Sequence, residues 1–470
     1  MLEDAGNTEA VYRSQSYWLD TVPGRLDPRP SLEQDTTADV VIIGAGYTGL
    51  WTAYYLKTHA PHLDVVLLES EIAGFGASGR NGGWCTGYSE LDHWFEDPGT
   101  REGAVALQRS LFAAVDEVGR VSCLENIDCH FDKSGHVCAA VNPYQLQRLA
   151  SEIESWRALG FDDEDIRLLD APEVLSRVNI EHALGGYFMP HCAALQPAAL
   201  ARGLARAVVA KGARLFERSP VSELIEGGVR TPGGTVQAEV VLLATEGFTD
   251  SIPGLERRLT PIHSMMIATE RLTDAEIEAT GLRRRYTWNN GYHQTTYGQL
   301  TRDGRIAFGY RGGYYFGAKR RTTFDRDDPV FSAVRQALGE LFPALRDKPI
   351  THAWGGPMGV SRRLHPAVVF NRDKRFGWAG GYFGDGVGAS NLAGRTLADL
   401  VLERDTARCR WPWVNPPGLT APPEQAWEPE PLRWLAISAT RAALGATDRA
   451  EARGGKAADR WNWMLENVLF

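Results

Sequence analysis

Apolar positions along this chain follow two periods, and the switches between them mark its elements. Residues 40–43 (Val-Val-Ile-Ile) are too short a run for a helix and β-branched enough for a buried strand. Gly44-Ala45-Gly46-Tyr47-Thr48-Gly49 follows at once and residues 50–59 read as a helix. A second apolar run, 65–68, ends in Glu69, twenty residues past Gly49. Strand, glycine turn, helix, strand and terminal acid at that spacing predict a βαβ dinucleotide-binding unit. Gly44 permits the tight turn, Gly46 lets the backbone approach a pyrophosphate, and Gly49 lets helix and strand pack closely. The helix N-terminus offers N–H groups to the pyrophosphate, and Glu69 offers its carboxylate to ribose hydroxyls.

The same pattern assigns the rest of the chain. Residues 1–36 are polar and proline-bearing and read as an extended arm that docks Tyr17 and Trp18 on the body. Residues 74–83 hold Gly74, Gly76, Gly79, Gly82 and Gly83, a density that suits backbone lying against a flat or anionic ligand. Helices are predicted over 103–124, 145–159, 171–177 and 197–211, the last with Pro197 at its start. Residues 125–142 read as strands, with a hairpin around Ser134-Gly135. Short strands are predicted over 185–189, 212–216 and 219–225, and a hairpin joins 229–231 to 235–239 across Gly233-Gly234. The apolar run 240–244 is a natural parallel neighbour for 40–43, and it ends at Thr245-Glu246-Gly247.

Residues 256–352 read as an antiparallel, aromatic sheet. Strands 286–301 and 305–312 pair across Asp303-Gly304. Alternation puts Ile306, Phe308 and Tyr310 on one face and Ala307, Gly309 and Arg311 on the other, while His293, Thr295 and Tyr297 share a face of the preceding strand. Polar aromatics, a His and an Arg on one sheet suit a small-molecule pocket. A strand over 375–378 leads into a second glycine loop, residues 380–388, with Ser390 or Asn391 capping a helix over 392–402. No return strand with a terminal acid follows, so this loop reads as a second contact to the same cofactor. The last sixty residues carry six of the fourteen tryptophans, too many for a disordered tail, with a helix over 432–444. The tail packs on the body or on a second subunit, which leaves a homo-oligomer open.

Composition narrows the function. A net charge of −9 argues against nucleic acid as the main partner. The basic runs Arg283-Arg284-Arg285 and Lys319-Arg320-Arg321 are solvated loop charge or an attraction for an anionic substrate. The N-terminus lacks an apolar signal region and no membrane span is expected. Cys85, Cys123, Cys129, Cys138, Cys192 and Cys409 have irregular spacing without a CxxC pair, which predicts reduced thiols in a cytoplasmic protein. No metal site is expected, because Cys129, His130, His136 and Cys138 fall in the predicted hairpin.

Taken in order, ADVVIIGAGYTGL, GASGRNGG, the Ala244-Thr245-Glu246-Gly247 strand end and GGYFGDGV resemble the flavin-dependent D-amino-acid oxidase/sarcosine oxidase superfamily. Within it, GFGASGRNGG and TRDGRIAFGYRG look most like the gamma-glutamylputrescine oxidase group and its aminophosphonate oxidoreductase relatives. The resemblance covers about residues 15–405. It implies an α/β plus antiparallel-β protein, a discontinuous Rossmann-like FAD-binding domain with an antiparallel-sheet substrate domain over the flavin ring. The expected boundaries are 1–36 for the arm, 37–112, 191–255 and 353–405 for the FAD-binding domain, 113–190 and 256–352 for the substrate domain, and 406–470 for a Trp-rich extension.

Carried over residue by residue, the resemblance puts Gly44, Ala45, Gly46 and Gly49 at the pyrophosphate, with Thr48 beside them. It puts Glu69 at the adenosine ribose, next to Ser70. Ala77, Ser78, Arg80, Asn81 and Gly82 line the pyrophosphate-to-flavin stretch. Val221, Ala244 and Thr245 meet the adenine end, and Gly384, Asp385, Gly386 and Val387 lie beside the pyrimidine edge of the flavin. Asp385 departs from the many relatives that place His or another residue there; a carboxylate near the flavin opposes its reduction, so Asp385 either points toward the substrate ammonium or is neutralised. Relatives that bind flavin covalently use a Cys in the C-terminal half or a His near the first glycine loop. No Cys lies between Cys192 and Cys409 and no His between His62 and His93, so non-covalent FAD is expected.

The implied reaction is oxidation of an amine C–N bond to an imine, which hydrolyses to aldehyde plus amine or ammonia, with O2 reoxidising the flavin to H2O2. The substrate is a small amine that can carry an anionic group. His293, Tyr297, Tyr310, Arg311 and Trp354 are the pocket candidates. Arg311 suits a forked contact with a carboxylate or phosphonate, and the aromatics can box the amine. Two other readings stay open, a dehydrogenase that passes electrons to a quinone or carrier protein and an FAD-binding protein without amine turnover.

Overall fold

The computed structural model describes residues 2–421 and 426–465. Met1 of the expected arm and residues 422–425 and 466–470 of the expected extension lie outside them. The chain forms two compact units. The first holds Met1–Phe131, Leu195–Ile262 and Gly356–Trp427, and the second holds Asp132–Ala194, His263–Gly355 and Glu428–Phe470. Residues 113–131 therefore go with the first unit rather than the expected substrate domain; 113–124 complete the helix Arg101–Leu124 and 125–131 follow it. The Trp-rich extension divides after Trp427.

The first unit is built on the strand Thr36–Ile43. It pairs in parallel with Val65–Leu68 on one side and with Gly234–Leu243 on the other, Val40 lying opposite both Val65 and Val240. Arg214–Phe216 and Phe376–Gly380 extend the parallel sheet at either end, and Ala367–Asn371 closes it as an antiparallel edge. Strands covered on both faces read as continuous apolar runs, which is why 40–43, 65–68 and 240–243 could be found without alternation. The strands expected at 235–239 and 240–244 are one continuous strand, Gly234–Leu243, whose first half also pairs with Gly228–Thr231.

Helix Tyr47–His59 packs on helix Gly386–Val401, where a Cβ on Gly394 would sit 2.7 Å from that of Trp51. The latter helix starts six residues before the expected position. Ser390 and Asn391 are interior residues, not caps: Ser390 Oγ donates to Val387 O at 3.1 Å and the Asn391 amide to the Tyr55 hydroxyl at 3.0 Å.

The N-terminal arm is helical rather than extended, over Leu2–Arg13 and Tyr17–Thr21. Ser16 caps the second helix by accepting from Leu19 N and donates to Gly79 O at 2.8 Å. Tyr17 and Trp18 are buried, and Trp18 Nε1 donates to Asn81 O at 2.8 Å. Of the tail tryptophans, Trp413 and Trp427 are buried in the first unit, while Trp434 and Trp463 are exposed.

The second unit carries an eight-stranded sheet in the order Ile350–Val360, Thr260–Thr269, Ile306–Arg311, Thr296–Leu300, Thr287–Asn290, His136–Ala140, Gly185–Met189, Arg167–Asp170. The hairpin across Asp303-Gly304 forms as expected, with Leu300 opposite Ile306. The expected strand 286–301 is broken in two, and His293 and Thr295 fall in the connection. There is no hairpin at Ser134-Gly135. His136–Ala140 instead pairs in parallel with Thr287–Asn290 and antiparallel with Gly185–Met189. One face of the sheet is the core: Val137, Trp288, Leu300, Ile306 and Phe308 pack with Val334, Leu338 and Leu341 of helix Ser332–Leu341. Trp288 stacks on Phe308 with centroids 5.3 Å apart. All six cysteines are free thiols, and among the described residues no helix is long and apolar enough to cross a membrane.

Gly49 is a tight joint of the nucleotide fold, since a Cβ there would lie 2.0 Å from Gly44 O. Backbone cannot yield as a side chain does, so Gly49→Ala is expected to destabilise the protein by about 2–3 kcal/mol. Urea unfolding of the variant against the parent checks this.

Candidate cofactor and substrate sites

The first glycine turn is held from three sides. Gly44 N donates to Leu68 O, and a Cβ on Gly44 would meet Ala244 O at 2.6 Å, so the turn sits against the end of the neighbouring strand. Ala45 N donates to Glu69 Oε2 at 2.8 Å, and Glu71 N donates to the other oxygen at 3.0 Å. Burial raises the Glu69 carboxyl against the pull of these N–H groups. At the start of the helix Tyr47–His59, Tyr47 N donates to Ser78 Oγ at 2.9 Å, and the Thr48 hydroxyl lies 2.9 Å from the Tyr382 hydroxyl. Ser78 thus ties the second glycine-rich segment to the first turn.

That segment is a short turn, Ala77–Gly79, followed by two anchored side chains. Arg80 is buried. Its guanidinium stacks 4.7 Å from the Phe75 ring and donates to Phe75 O at 2.8 Å and Gln15 Oε1 at 2.9 Å. Burial pulls it down to about 10, opposed by Glu71. Asn81 donates to Ala77 O and accepts from Gly83 N at 2.8 Å. Ala244 N donates to Ile43 O, the Thr245 and Thr249 hydroxyls meet at 2.8 Å, and Val221 is half-buried beside the sheet core. Arg80 and Asn81 shape the segment through protein contacts rather than presenting free polar ends.

The second glycine loop is the start of a helix. Gly384 has φ 113° and Asp385 is the N-cap residue of Gly386–Val401, with no side-chain cap bond. Gly386 and Val387 therefore supply the first helical N–H groups, and the positive end of the helix dipole lies in the loop itself.

On the second unit's sheet, Ser264 and Gly309 oppose Arg311 and Tyr297, which puts these four on one face. The Tyr297 and Ser264 hydroxyls are bonded, and the Tyr297 ring lies over Gly309. A Cβ on Gly355 would point at Phe324 and Met265 of the core, so alternation turns the buried Trp354 to the face of Tyr297 and Arg311. Asn289, opposite Tyr297, meets His136 Nε2 at 3.1 Å. Burial pulls the His136 ring down to about 4, against the bond from Asn289. Tyr310 lies on the other face with Ile306 and Phe308, so it does not join this group.

His293 does not join it either. Its N–H donates to Asp448 Oδ1 at 2.8 Å, Gln294 N donates to Asp448 Oδ2 at 3.0 Å, and His293 Nε2 lies 3.3 Å from Glu451 Oε1. Asp448 and Glu451 belong to the helix Leu432–Arg453, so His293 clamps the C-terminal extension. Ligand atoms of His293, Asp448 and Glu451 come within 4.8 Å of one another, but the Arg148 guanidinium already holds Glu451 at 2.8 Å and would repel a cation.

The FAD-dependent oxidoreductase (DAO) family model matches residues 39–400. The chain belongs to this family. It is 31% identical over 381 residues to gamma-glutamylputrescine oxidoreductase of Escherichia coli (strain K12), covering 80% of this chain and 86% of that one. In fold it is similar to glycine oxidase from Geobacillus kaustophilus, with a TM-score of 0.63 at 22% identity, 79% of this chain and 96% of that one being covered. It is also similar to iminodiacetate oxidase from Chelativorans sp. BNC1, with a TM-score of 0.63 at 18% identity over 80% and 99%. The chain is an FAD-dependent oxidoreductase, and the extension beyond residue 400 lies outside the family match.

The residues present fit that cofactor. A Cβ on Gly44 or Gly49 would run into backbone, at 2.6 Å and 2.0 Å, whereas one on Gly46 would meet only Ser78 Oγ, at 3.0 Å, which leaves the helix end the open approach. Glu69 keeps lone pairs for ribose hydroxyls beyond its two backbone bonds. Sequence reasoning missed Glu246, half-buried just beyond the strand Gly234–Leu243, and His136. Both carried a signal, an acid three residues past a buried strand and a His in an otherwise apolar strand.

Burial alone would raise the Glu451 carboxyl, but hydrogen bonds and charge from His293 and Arg148 bring it down to about 2 from an ordinary 4.5. A depressed carboxyl stabilises the fold above the unfolded value and loses that contribution as pH falls toward the folded one. Acid unfolding is therefore expected to steepen between pH 4.5 and 2. Glu451→Gln should flatten that limb and cost about 1–3 kcal/mol at neutral pH, read by urea titration across pH.

Proposed function

We propose that this protein oxidises a carbon–nitrogen bond of a small amine or amino acid bearing an anionic group, and that O2 is the final electron acceptor. The observation that carries the reading is the polar face holding Arg311, Tyr297 and Ser264 on a sheet of a DAO-family protein. Two proteins it resembles, gamma-glutamylputrescine oxidoreductase and iminodiacetate oxidase, are named for amine-bearing substrates with carboxylates.

FAD, when bound, supplies the two-electron acceptor. Its assigned holders are Gly44, Ala45, Gly46, Thr48, Gly49, Glu69 and Ser70 at the AMP and pyrophosphate end, with Ala77, Ser78 and Gly82 following. Val221, Ala244 and Thr245 meet the adenine end, and Gly384, Asp385, Gly386 and Val387 the flavin end. Arg311 anchors the substrate's anionic group by a forked contact and sets its orientation. Trp354 supplies a dry wall, and desolvation there favours the free amine over the ammonium, which holds no lone pair to drive oxidation. The substrate would give a hydride from carbon to the bound two-electron acceptor and a proton from nitrogen to solvent, and water then hydrolyses the imine to a carbonyl compound and an amine or ammonia. The N–H groups of the first helical turn at Gly386 would hold the flavin end, and the helix dipole would favour electron acceptance there.

Anaerobic mixing with polyamines, N-methyl amino acids, aminophosphonates and γ-glutamyl amines should bleach the flavin absorbance with at least one. Arg311→Ala should raise KM for that substrate about 10- to 100-fold, the worth of a charged hydrogen-bonded pair, with a smaller change for an uncharged amine. Oxygen uptake with peroxide formation supports the oxidase, and turnover only with a quinone or carrier protein replaces it with the dehydrogenase reading. A panel that never bleaches the flavin overturns both. The FAD is non-covalent in this reading, so heat or acid denaturation should release all of the flavin into the supernatant.

A further inference from the structure

Glu246 follows the strand Gly234–Leu243 and has φ 44°, a left-handed backbone that a non-glycine residue adopts only when its surroundings impose it. Its side chain turns into a cradle that is walled by glycine. A Cβ on Gly359 would lie 2.3 Å from Oε2, and one on Gly380 would lie 3.3 Å from Oε1. Into that space three backbone donors converge: Gly359 N at 2.5 Å on Oε2, then Gly381 N at 2.7 Å and Tyr382 N at 3.4 Å on Oε1. One carboxylate thus joins the strand end to residues 356–360 and to the loop 381–385. Tyr382 continues the link, because its hydroxyl lies 2.9 Å from that of Thr48 in the first glycine turn.

We propose that Glu246 is a positioning residue for the cofactor, holding the loop 381–385 and the helix start at Gly386 in the FAD-binding conformation. The inference rests on the assignment of Gly384–Val387 to the flavin end. A carboxylate suits this task because it offers two oxygens to three N–H donors, which a neutral amide cannot do. The ionised form is the holding form, since a protonated oxygen presents an O–H to donors. Burial pushes the carboxyl up to about 7 against its three N–H bonds. The titratable groups on the packed elements are few. They are the Tyr382 phenol, which burial raises, Asp250 farther along the turn Glu246–Ser251, and Asp385 at the far end of the loop. Residues 356–360 contain none.

The test is FAD affinity, measured by quenching of flavin fluorescence from pH 6 to pH 9 on flavin-depleted parent, Glu246→Gln and Asp385→Asn proteins. The parent should bind FAD several-fold more tightly above pH 7 than below it. Glu246→Gln should bind at least 10-fold more weakly at the upper end, with the pH dependence gone. A Glu246→Gln protein that binds as the parent does, or that weakens while keeping the parent's pH profile, overturns the proposal. If Asp385→Asn alters affinity and Glu246→Gln does not, Glu246 is excluded and the loop assignment stands. If neither alters it, the loop assignment fails as well. Should Glu246→Gln not fold, amide hydrogen exchange on the flavin-free parent decides. Gly381 and Tyr382 N–H protection, corrected for intrinsic rate, should rise through pH 7, and a flat profile overturns the proposal.

Discussion

The parallel pairing of Thr36–Ile43 with Gly234–Leu243 is the constraint on which the cofactor side of this protein depends. Nearly two hundred residues separate the strands, yet Ile43 lies opposite Leu243. That register puts the glycine turn after one strand beside Ala244-Thr245-Glu246 after the other. The close approach of Gly44 to Ala244 O follows directly, and so does the need for glycine there, because any side chain would enter the neighbouring backbone. Phe376–Gly380 pairs on the far side of the same strand and delivers the third stretch, the loop 381–385. Three short sequences that mean little apart are ends of adjacent parallel strands, the edge at which such sheets bind nucleotides.

The first glycine turn, the strand–turn–helix order and the apolar parallel strands were legible in the sequence because buried strands leave unbroken apolar runs and turns leave glycine. The helix at Gly386 was misplaced by six residues because its start carries no side-chain cap, and a search for Ser or Asn moved it downstream. The arm was read as extended because residues 1–13 lack a helical apolar stripe. The break at 291–295 was missed for a different reason. Asp448, more than one hundred and fifty residues away, accepts both His293 N and Gln294 N and so takes the backbone donors that a continuous strand would have used.

On the substrate side, alternation put Tyr310 and Arg311 on opposite faces as the register does, but it carried His293 and Thr295 along a strand that is broken before Thr296. Tyr310 belongs to the face that packs under Phe308, and His293 to the clamp on the extension. Tyr297, Arg311 and Trp354 share the remaining face. His136 joins it through Asn289, visible only once the parallel join between His136–Ala140 and Thr287–Asn290 is known. The extension beyond residue 400 is then a structural partner of this sheet as well as of the nucleotide fold. Trp413 and Trp427 are buried in one unit, and Glu451 is bound to Arg148 and His293 in the other.

The central claim is that the three separated stretches form one FAD site. Hydrogen exchange on the flavin-free and FAD-loaded protein tests it most directly. The account predicts that FAD slows exchange in residues 44–49, 244–246 and 381–387 together. Protection confined to residues 44–49, with the other two stretches unchanged, would contradict it.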